Sequence, residues 1–149
     1  MELRSLTAEE AANVRTQVES QLSDWATSGY GGGVPWGVLY PVSWSLSTLD
    51  RERAERVAWL LAEMGYTITS LRERTAPGET PGVVDLYFCV DIQRRLLVLP
   101  DTLVGEALIL EALAVNWGAS VSDMCINTGK EERQQAWRSM HGPMGKDIC

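Results

Sequence analysis

The chain is poor in the residues that most often bind metals or perform catalysis. It contains one histidine, His141, and three cysteines, Cys89, Cys125 and Cys149, none of which form a C-x-x-C pair. A structural zinc site needs closely spaced Cys or His ligands, and a catalytic triad needs an imidazole within reach of a nucleophile. The sequence therefore predicts no zinc site and no histidine-assisted nucleophile, and we expect His141 to be a surface residue.

Positive charge is also scarce. The 149 residues include 13 Lys and Arg against 20 Asp and Glu, which gives a net charge of −7. A surface that neutralises phosphates needs clustered Lys and Arg, so we expect no direct binding of nucleic acid. An acidic decoy that mimics nucleic acid is less favoured, because Arg51, Arg53 and Arg56 are interleaved with the acidic residues.

Two further patterns fall short of a chemical site. The glycine cluster 31–33 lacks the lysine of a phosphate-binding loop and is not followed at once by a helix. Asp85 and Asp91 share one face of a predicted strand, but six residues of extended chain separate them by about 20 Å. We expect both carboxylates to be solvated, and we predict no catalytic, metal-binding or cofactor-binding residue and no cofactor.

Long apolar runs are missing as well. The uncharged stretch 26–49 is interrupted by glycines, Pro35 and Pro41, so it does not resemble a membrane-spanning helix of about 20 apolar residues. The first residues lack the basic and then apolar pattern of a signal peptide. We therefore expect no membrane association and no secretion through a signal peptide.

Four segments carry helix signals. Thr7 and Glu10 form a potential capping box before an apolar stripe, and a second helix is predicted from Ser47 or Thr48 to Met64. A third is predicted after Pro100, and a fourth, mostly polar, over 128–140. The segments 66–71 and 83–92 are typical of strands and should pair as an antiparallel hairpin with a long, mobile turn at 76–82.

The predicted fold class is thus α+β, with about four helices packed on a small antiparallel sheet. The sheet has the two strands of the hairpin, and the apolar run 96–99 is left open as a third strand. We expect one domain over residues 1–141, with an aromatic Gly/Pro-rich loop at 29–47, followed by a flexible tail at 142–149.

The aromatic segment 29–47 is the most unusual part of the sequence, in a chain that has six tryptophans and one phenylalanine. In one interpretation it packs over its own domain, with 38–44 extended. In the other it is an exposed arm that binds a partner, since Trp and Tyr are favoured at interface centres. The candidate protein-contact residues are Tyr30, Trp36, Tyr40, Trp44 and Trp137.

The junction Glu63-Met64-Gly65-Tyr66-Thr67-Ile68 lies between the second helix and the hairpin. With the helix–helix–hairpin order over Leu6–Ile92, it resembles a class of small bacteriophage virion or accessory proteins. The resemblance implies a protein located in the virion or the host cytoplasm that assembles with itself or with other virion subunits. It brings no catalytic residues.

Three hypotheses follow for the function. The leading one is a non-enzymatic structural or interaction subunit, such as a head or tail component of a phage virion. The alternative is a small acidic inhibitor that binds a host defence complex, with its charge steering it towards a basic site. An enzyme of unrecognised type is the least favoured.

Overall fold

The computed structural model describes residues 3–27, 39–122 and 124–127. This part of the chain contains three helices and a five-stranded antiparallel sheet, which confirms the α+β class. The elements in chain order are α1 (Ala8–Thr27), β1 (Leu39–Thr48), α2 (Arg51–Glu63), β2 (Thr67–Pro77), β3 (Val84–Leu97), α3 (Pro100–Trp117), β4 (Ser120–Val121) and β5 (Cys125–Ile126).

The sheet is larger than the predicted two or three strands. Its strand order is β2-β3-β1-β4, and β5 pairs with β1. The predicted hairpin is confirmed, because β2 and β3 pair antiparallel from Thr67 opposite Gln93 to Pro77 opposite Val84. On the other side, β1 pairs antiparallel with β4, with Leu46 opposite Val121. The three additional strands are β1, in a segment that the sequence predicts to be largely loop, and the two-residue strands β4 and β5.

Three boundaries differ from the predictions. The hairpin turn comprises residues 78–83 rather than 76–82, because β2 continues to Pro77 and the Gly78 N–H donates to the Val83 carbonyl over 2.8 Å. Residues 96 and 97 are the end of β3 rather than a separate strand. Helix α2 begins at Arg51, since Ser47 and Thr48 belong to β1.

Local capping fixes the ends of the helices. At the start of α1 the capping box is confirmed: the Glu10 N–H donates to Thr7 Oγ1 and the Thr7 N–H donates to Glu10 Oε1. Helix α2 ends at Glu63, with Met64 as its C-cap, and is followed by Gly65, whose φ of 99° is the left-handed backbone that glycine adopts without strain. The predicted fourth helix, over 128–140, lies outside the described residues.

The described residues divide into two compact units. The first comprises residues 3–6, 43–94 and 110–122, and the second comprises 7–27, 39–42, 95–109 and 124–127. The core of the first unit includes Trp44, Leu46, Ala54, Val57, Leu61, Tyr66, Phe88, Val90, Ile92, Leu110 and Ala114; that of the second includes Val18, Leu22, Tyr40, Val42, Leu96, Val98, Leu103, Val104 and Ala107. The expectation of a single domain over 1–141 stays a prediction.

None of the helices in the described ranges combines the length and the apolar character that a membrane span requires. The predicted tail at 142–149 lies outside those ranges.

Candidate functional site

Helix α2 has a buried face and an exposed face. Ala54, Val57 and Leu61 are fully buried, and the helix packs on β2 with this side. Trp59 lies on the opposite side, and 64% of its surface is exposed. A large aromatic side chain in water on a helix that already buries its apolar stripe is not needed for packing within the chain.

The start of α2 is held by a side-chain cap that also positions a cation. Asp50 is the N-cap, and its Oδ1 accepts a hydrogen bond of 2.8 Å from the Arg53 N–H. Its second oxygen, Oδ2, lies 3.2 Å from Arg53 Nε. The guanidinium of Arg53 therefore has a defined direction towards the end of α3.

Helix α3 ends at Trp117, next to that guanidinium. Gly118 follows with a φ of 63°, and the Ala119 N–H donates to the Ala114 carbonyl over 3.0 Å, which closes the last turn. A Cβ added to Gly118 would stand 2.6 Å from Arg53 Nη1, so the guanidinium lies directly over this backbone. The positive charge at a helix C-terminus is the favourable arrangement for the helix dipole.

Asn116 fixes the same end of α3 from the other side. Its Oδ1 accepts from the Arg4 N–H over 2.6 Å, and its Nδ2 donates to the Arg4 carbonyl over 2.8 Å. Such a two-way bond between a side-chain amide and one backbone residue restricts both partners. These hydrogen bonds therefore hold the end of α3, including Trp117, in place beside α2.

These elements enclose a groove between the exposed flank of α2 and the end of α3. Two adjoining cavities of about 470 and 430 Å³ make up the groove, and they share Glu52, Arg56 and Trp117. The first is more polar and includes Arg53 and Asn116, whereas the second includes Trp59 and Leu60. We call this surface the Trp59–Trp117 groove; it is lined by Asp50, Glu52, Arg53, Glu55, Arg56, Trp59, Leu60, Asn116, Trp117 and Gly118.

The charges around the groove are balanced and loosely held. Arg56 pairs with Glu52 and Arg51 pairs with Glu55, each over 3.2 Å and each one helical turn apart. These side chains are more than half exposed, and exposed ion pairs of this kind contribute only about 0.3–0.5 kcal/mol. A partner can therefore displace them at low cost and form its own charge pairs with the same groups.

Two of the candidate contact residues from the sequence, Tyr40 and Trp44, lie in the described ranges and are not among the residues that line this groove. Tyr40 has no exposed surface and Trp44 is 4% exposed, and both lie on β1 with their rings in the core. In the conformation described here neither ring is accessible to a partner. Tyr30, Trp36 and Trp137 lie outside the described residues, so their contact role stays a prediction.

Trp59 and Trp117 were not predicted as contact residues, although the sequence around Trp59 indicates that its ring is exposed. Trp59 follows Glu52 and Arg56 at seven and three residues, which places it on the charged side of α2 rather than on its apolar stripe. An aromatic residue on the charged side of a helix indicates an exposed ring. Trp117 carries no comparable signal, because its position depends on where α3 ends.

A second polar cluster lies on the sheet, on the face that Cys89 and Asp91 share. Asp91 is not solvated as predicted: its side chain is 20% exposed, and its Oδ2 lies 2.6 Å from Arg72 Nε. The Ser70 hydroxyl also donates to Asp91, and the Ser47 hydroxyl lies 3.5 Å from the Cys89 sulfur. The register explains the contacts, because Ser70 lies opposite Asp91 and Arg72 opposite Cys89.

This environment shifts the titration of Asp91. Partial burial alone would raise its pKa, but hydrogen bonds from Arg72, Ser70 and Ser45 and the charge of Arg72 outweigh it, so the pKa of Asp91 lies below its usual value of 3.8. A carboxyl whose pKa is lower in the folded than in the unfolded state stabilises the fold at pH values above its unfolded-state pKa. This stabilisation is lost as the pH falls through the folded-state pKa.

We therefore expect the difference in unfolding free energy between the wild type and Asp91→Asn to depend on pH. At pH 7 the substitution should cost about 1 kcal/mol, because a charge-assisted hydrogen bond at a partly exposed site is lost. Below pH 3.8 the difference should shrink, since the wild-type carboxyl then becomes protonated. Urea titrations at several pH values measure it, and a difference that stays constant down to acidic pH would contradict the lowered pKa.

The arrangement of groups offers no metal centre within the part of the chain that the structure describes: no three His, Cys, Asp or Glu side chains gather there as ligands. What the Trp59–Trp117 groove can provide is apolar aromatic area, arginine donors and displaceable carboxylates. No protein-family model matches the chain, and no curated protein sequence is significantly similar to it.

Proposed function

We propose that the chain is a non-enzymatic interaction subunit that binds a protein through the Trp59–Trp117 groove. The observation that carries this proposal is the exposure of Trp59, 64% of whose surface lies in water beside a second tryptophan and an arginine. Covering a ring of this size removes a large apolar area from water and is favourable on binding.

The composition of the groove supports a protein as the ligand. Residues that dominate binding energy in protein interfaces are enriched in Trp and Arg and are surrounded by polar groups that exclude water. Trp59 and Trp117 supply the aromatic centre, and Arg56 and Glu52 lie at its edge. The groove is open to solvent rather than enclosed, which suits an incoming helix or loop better than a small ligand.

The setting that we propose is a phage particle, in which the subunit contacts copies of itself or other virion subunits. This part of the proposal is supported by the resemblance over Leu6–Ile92 alone. An acidic inhibitor of a host complex is the second candidate, favoured by the net charge of −7. The two differ in salt dependence, because steering of an acidic protein to a basic site weakens sharply as salt is added.

Photo-crosslinking tests the proposed surface directly. A benzophenone amino acid is placed at position 59 in one variant and at position 79, in the exposed hairpin turn, in a matched control. Both are irradiated in the cells that make the protein with its natural neighbours. We expect a discrete protein adduct from position 59, an adduct that is lost when Arg56→Glu is added, and none from position 79.

The mass of the adduct then identifies the partner class. An adduct of two chains indicates self-assembly, and an adduct with another protein indicates a different subunit or a host target. If positions 59 and 79 give the same products, or neither gives one, the groove is not the contact surface and the proposal is wrong.

A further inference from the structure

The outer side of α2 carries an ordered stripe of charge and aromatic area. Its members are Glu52, Arg56, Trp59 and Glu63, spaced four, three and four residues apart, so they lie along one side of the helix. All four are exposed. This side is opposite the buried Ala54, Val57 and Leu61, so the stripe faces away from the core.

Two members of the stripe, Arg56 and Glu63, lie at equal distances from one point on the helix and carry opposite charges. Arg56 and Glu63 are seven residues apart, about 10 Å along the helix, and the midpoint between them falls between Trp59 and Leu60. Arg56 therefore lies as far before the apolar pair Trp59 and Leu60 as Glu63 lies after it. A helix with this pattern is complementary to a copy of itself that runs in the opposite direction.

The charges are available for such pairing. Within the described residues, Arg56 forms an ion pair with Glu52 on its own helix, and this contact is exposed. Glu63 forms no salt bridge with any residue in the described ranges, and as a negative group in the last turn it is unfavourable to the helix dipole. A positive group brought to Glu63 by a second molecule relieves that penalty.

We infer that the occupant of the Trp59–Trp117 groove is a second copy of this chain, bound about a twofold axis that passes between Trp59 and Leu60. In this arrangement α2 packs antiparallel against α2 of the partner subunit, with axes about 8–10 Å apart. Arg56 pairs with Glu63 of the partner subunit, and each Trp59 enters the other groove towards Trp117. The twofold axis repeats every contact, so each pair counts twice.

The self-complementary charge pattern decides between this occupant and others. A basic partner would meet Arg56 and Arg53 in the groove, and an acidic partner would meet Glu52, Glu55 and Asp50. A second copy offers one group of each sign at the spacing that the stripe requires. The inference rests on the proposed function, because it names the partner for the same surface.

Sedimentation equilibrium of the purified full chain tests the inference through a charge exchange. Arg56→Glu and Glu63→Arg should each weaken the dimer by about tenfold or more, because each places like charges opposite one another twice. The double variant R56E/E63R restores opposite charges at both positions, and its Kd should return to within about threefold of the wild type. Trp59→Ala should weaken the dimer by about 30-fold.

Matched controls separate local pairing from net charge. Arg74→Glu and Glu79→Arg change the net charge by the same amounts as Arg56→Glu and Glu63→Arg, but they lie on the exposed part of the hairpin. Both should leave the Kd of the dimer unchanged. Circular dichroism of each variant verifies that the helices are intact, and all four positions are exposed, so folding should be preserved.

The outcomes distinguish the inference from the proposed function. A wild-type chain that stays monomeric at every concentration, or a double variant that is as weak as the singles, overturns the antiparallel dimer. If position 59 then still crosslinks to a different protein in cells, the groove remains a contact surface with another partner. If the wild type dimerises and R56E/E63R restores the dimer that the single variants lose, the results support both the antiparallel dimer and the groove as the contact surface.

Discussion

Replacing Trp44 with alanine is expected to lower the free energy of unfolding by about 3–5 kcal/mol, the range for aromatic residues truncated in a core. Trp44 is 4% exposed and lies on β1 between Val42 and Leu46, which have no exposed surface. The truncation removes a large buried area and leaves a cavity that strands on both sides of β1 cannot close. Urea denaturation followed by circular dichroism measures the change.

The matched control is Trp59→Ala, which removes the same side chain from an exposed position. In protein dilute enough to be monomeric, it should change the free energy of unfolding by no more than about 0.5 kcal/mol. If Trp44→Ala left stability unchanged but abolished assembly, Trp44 would be a contact residue, as the sequence suggested, and its place in the core would be wrong.

Leu61→Ala is expected to have the next largest effect, a loss of about 2–5 kcal/mol. Leu61 has no exposed surface and lies in the middle of the side of α2 that packs on β2. Its carbonyl also accepts the Tyr66 N–H that closes the end of the helix, but this backbone bond survives the substitution. The expected loss is therefore a measure of side-chain packing alone.

Leu61 and Trp59 together define the rotation of α2, since they are two residues apart on opposite sides. We expect Leu61→Ala to lose much of its stability, while the fraction that stays folded associates normally. We expect Trp59→Ala to keep its stability but to associate weakly. A destabilisation at 59 comparable with that at 61 would mean that α2 is rotated and that the stripe with Arg56 and Glu63 does not face outward.

Several parts of the fold could be predicted from local sequence because local chemistry determines them. The capping box of Thr7 and Glu10 involves residues three apart, and both of its hydrogen bonds are present. The step at Gly65 needs a positive φ, which glycine supplies. The alternation from Val84 to Ile92 likewise predicted a strand with one buried face. Phe88, Val90 and Ile92 are buried, but Val84 and Leu86 are exposed, and Cys89 on the other face is buried as well.

Strand β1 was predicted only in part, as an extended stretch over 38–44, although its alternation is visible in the sequence. Tyr40, Val42, Trp44 and Leu46 are buried, and Ser43, Ser45 and Ser47 alternate with them. The glycines before this segment and Pro41 within it favoured a loop, because proline lacks the N–H that a central strand donates. Here the Pro41 carbonyl still accepts the Asn127 N–H, so part of the pairing is kept.

The groove could be predicted only in part, for a reason of distance along the chain. Trp59 could have been recognised from its place on the charged side of α2. Its neighbour Trp117 is brought there by the ends of α2 and α3, which are more than 50 residues apart in sequence, and by Arg53 lying over Gly118. Such long-range placement depends on the whole sheet and its helices, and no local pattern encodes it.

Hydroxyl-radical footprinting of the tryptophans shows whether the Trp59–Trp117 groove is covered in the native assembly. The oxidation rate of Trp59 is compared with that of the buried Trp44, first in the dilute isolated chain and then in the native assembly. We expect Trp59 to react rapidly in the isolated chain and to become protected in the assembly, while Trp44 is protected in both. Equal reactivity of Trp59 in the two states would contradict the assignment of the Trp59–Trp117 groove as the binding surface.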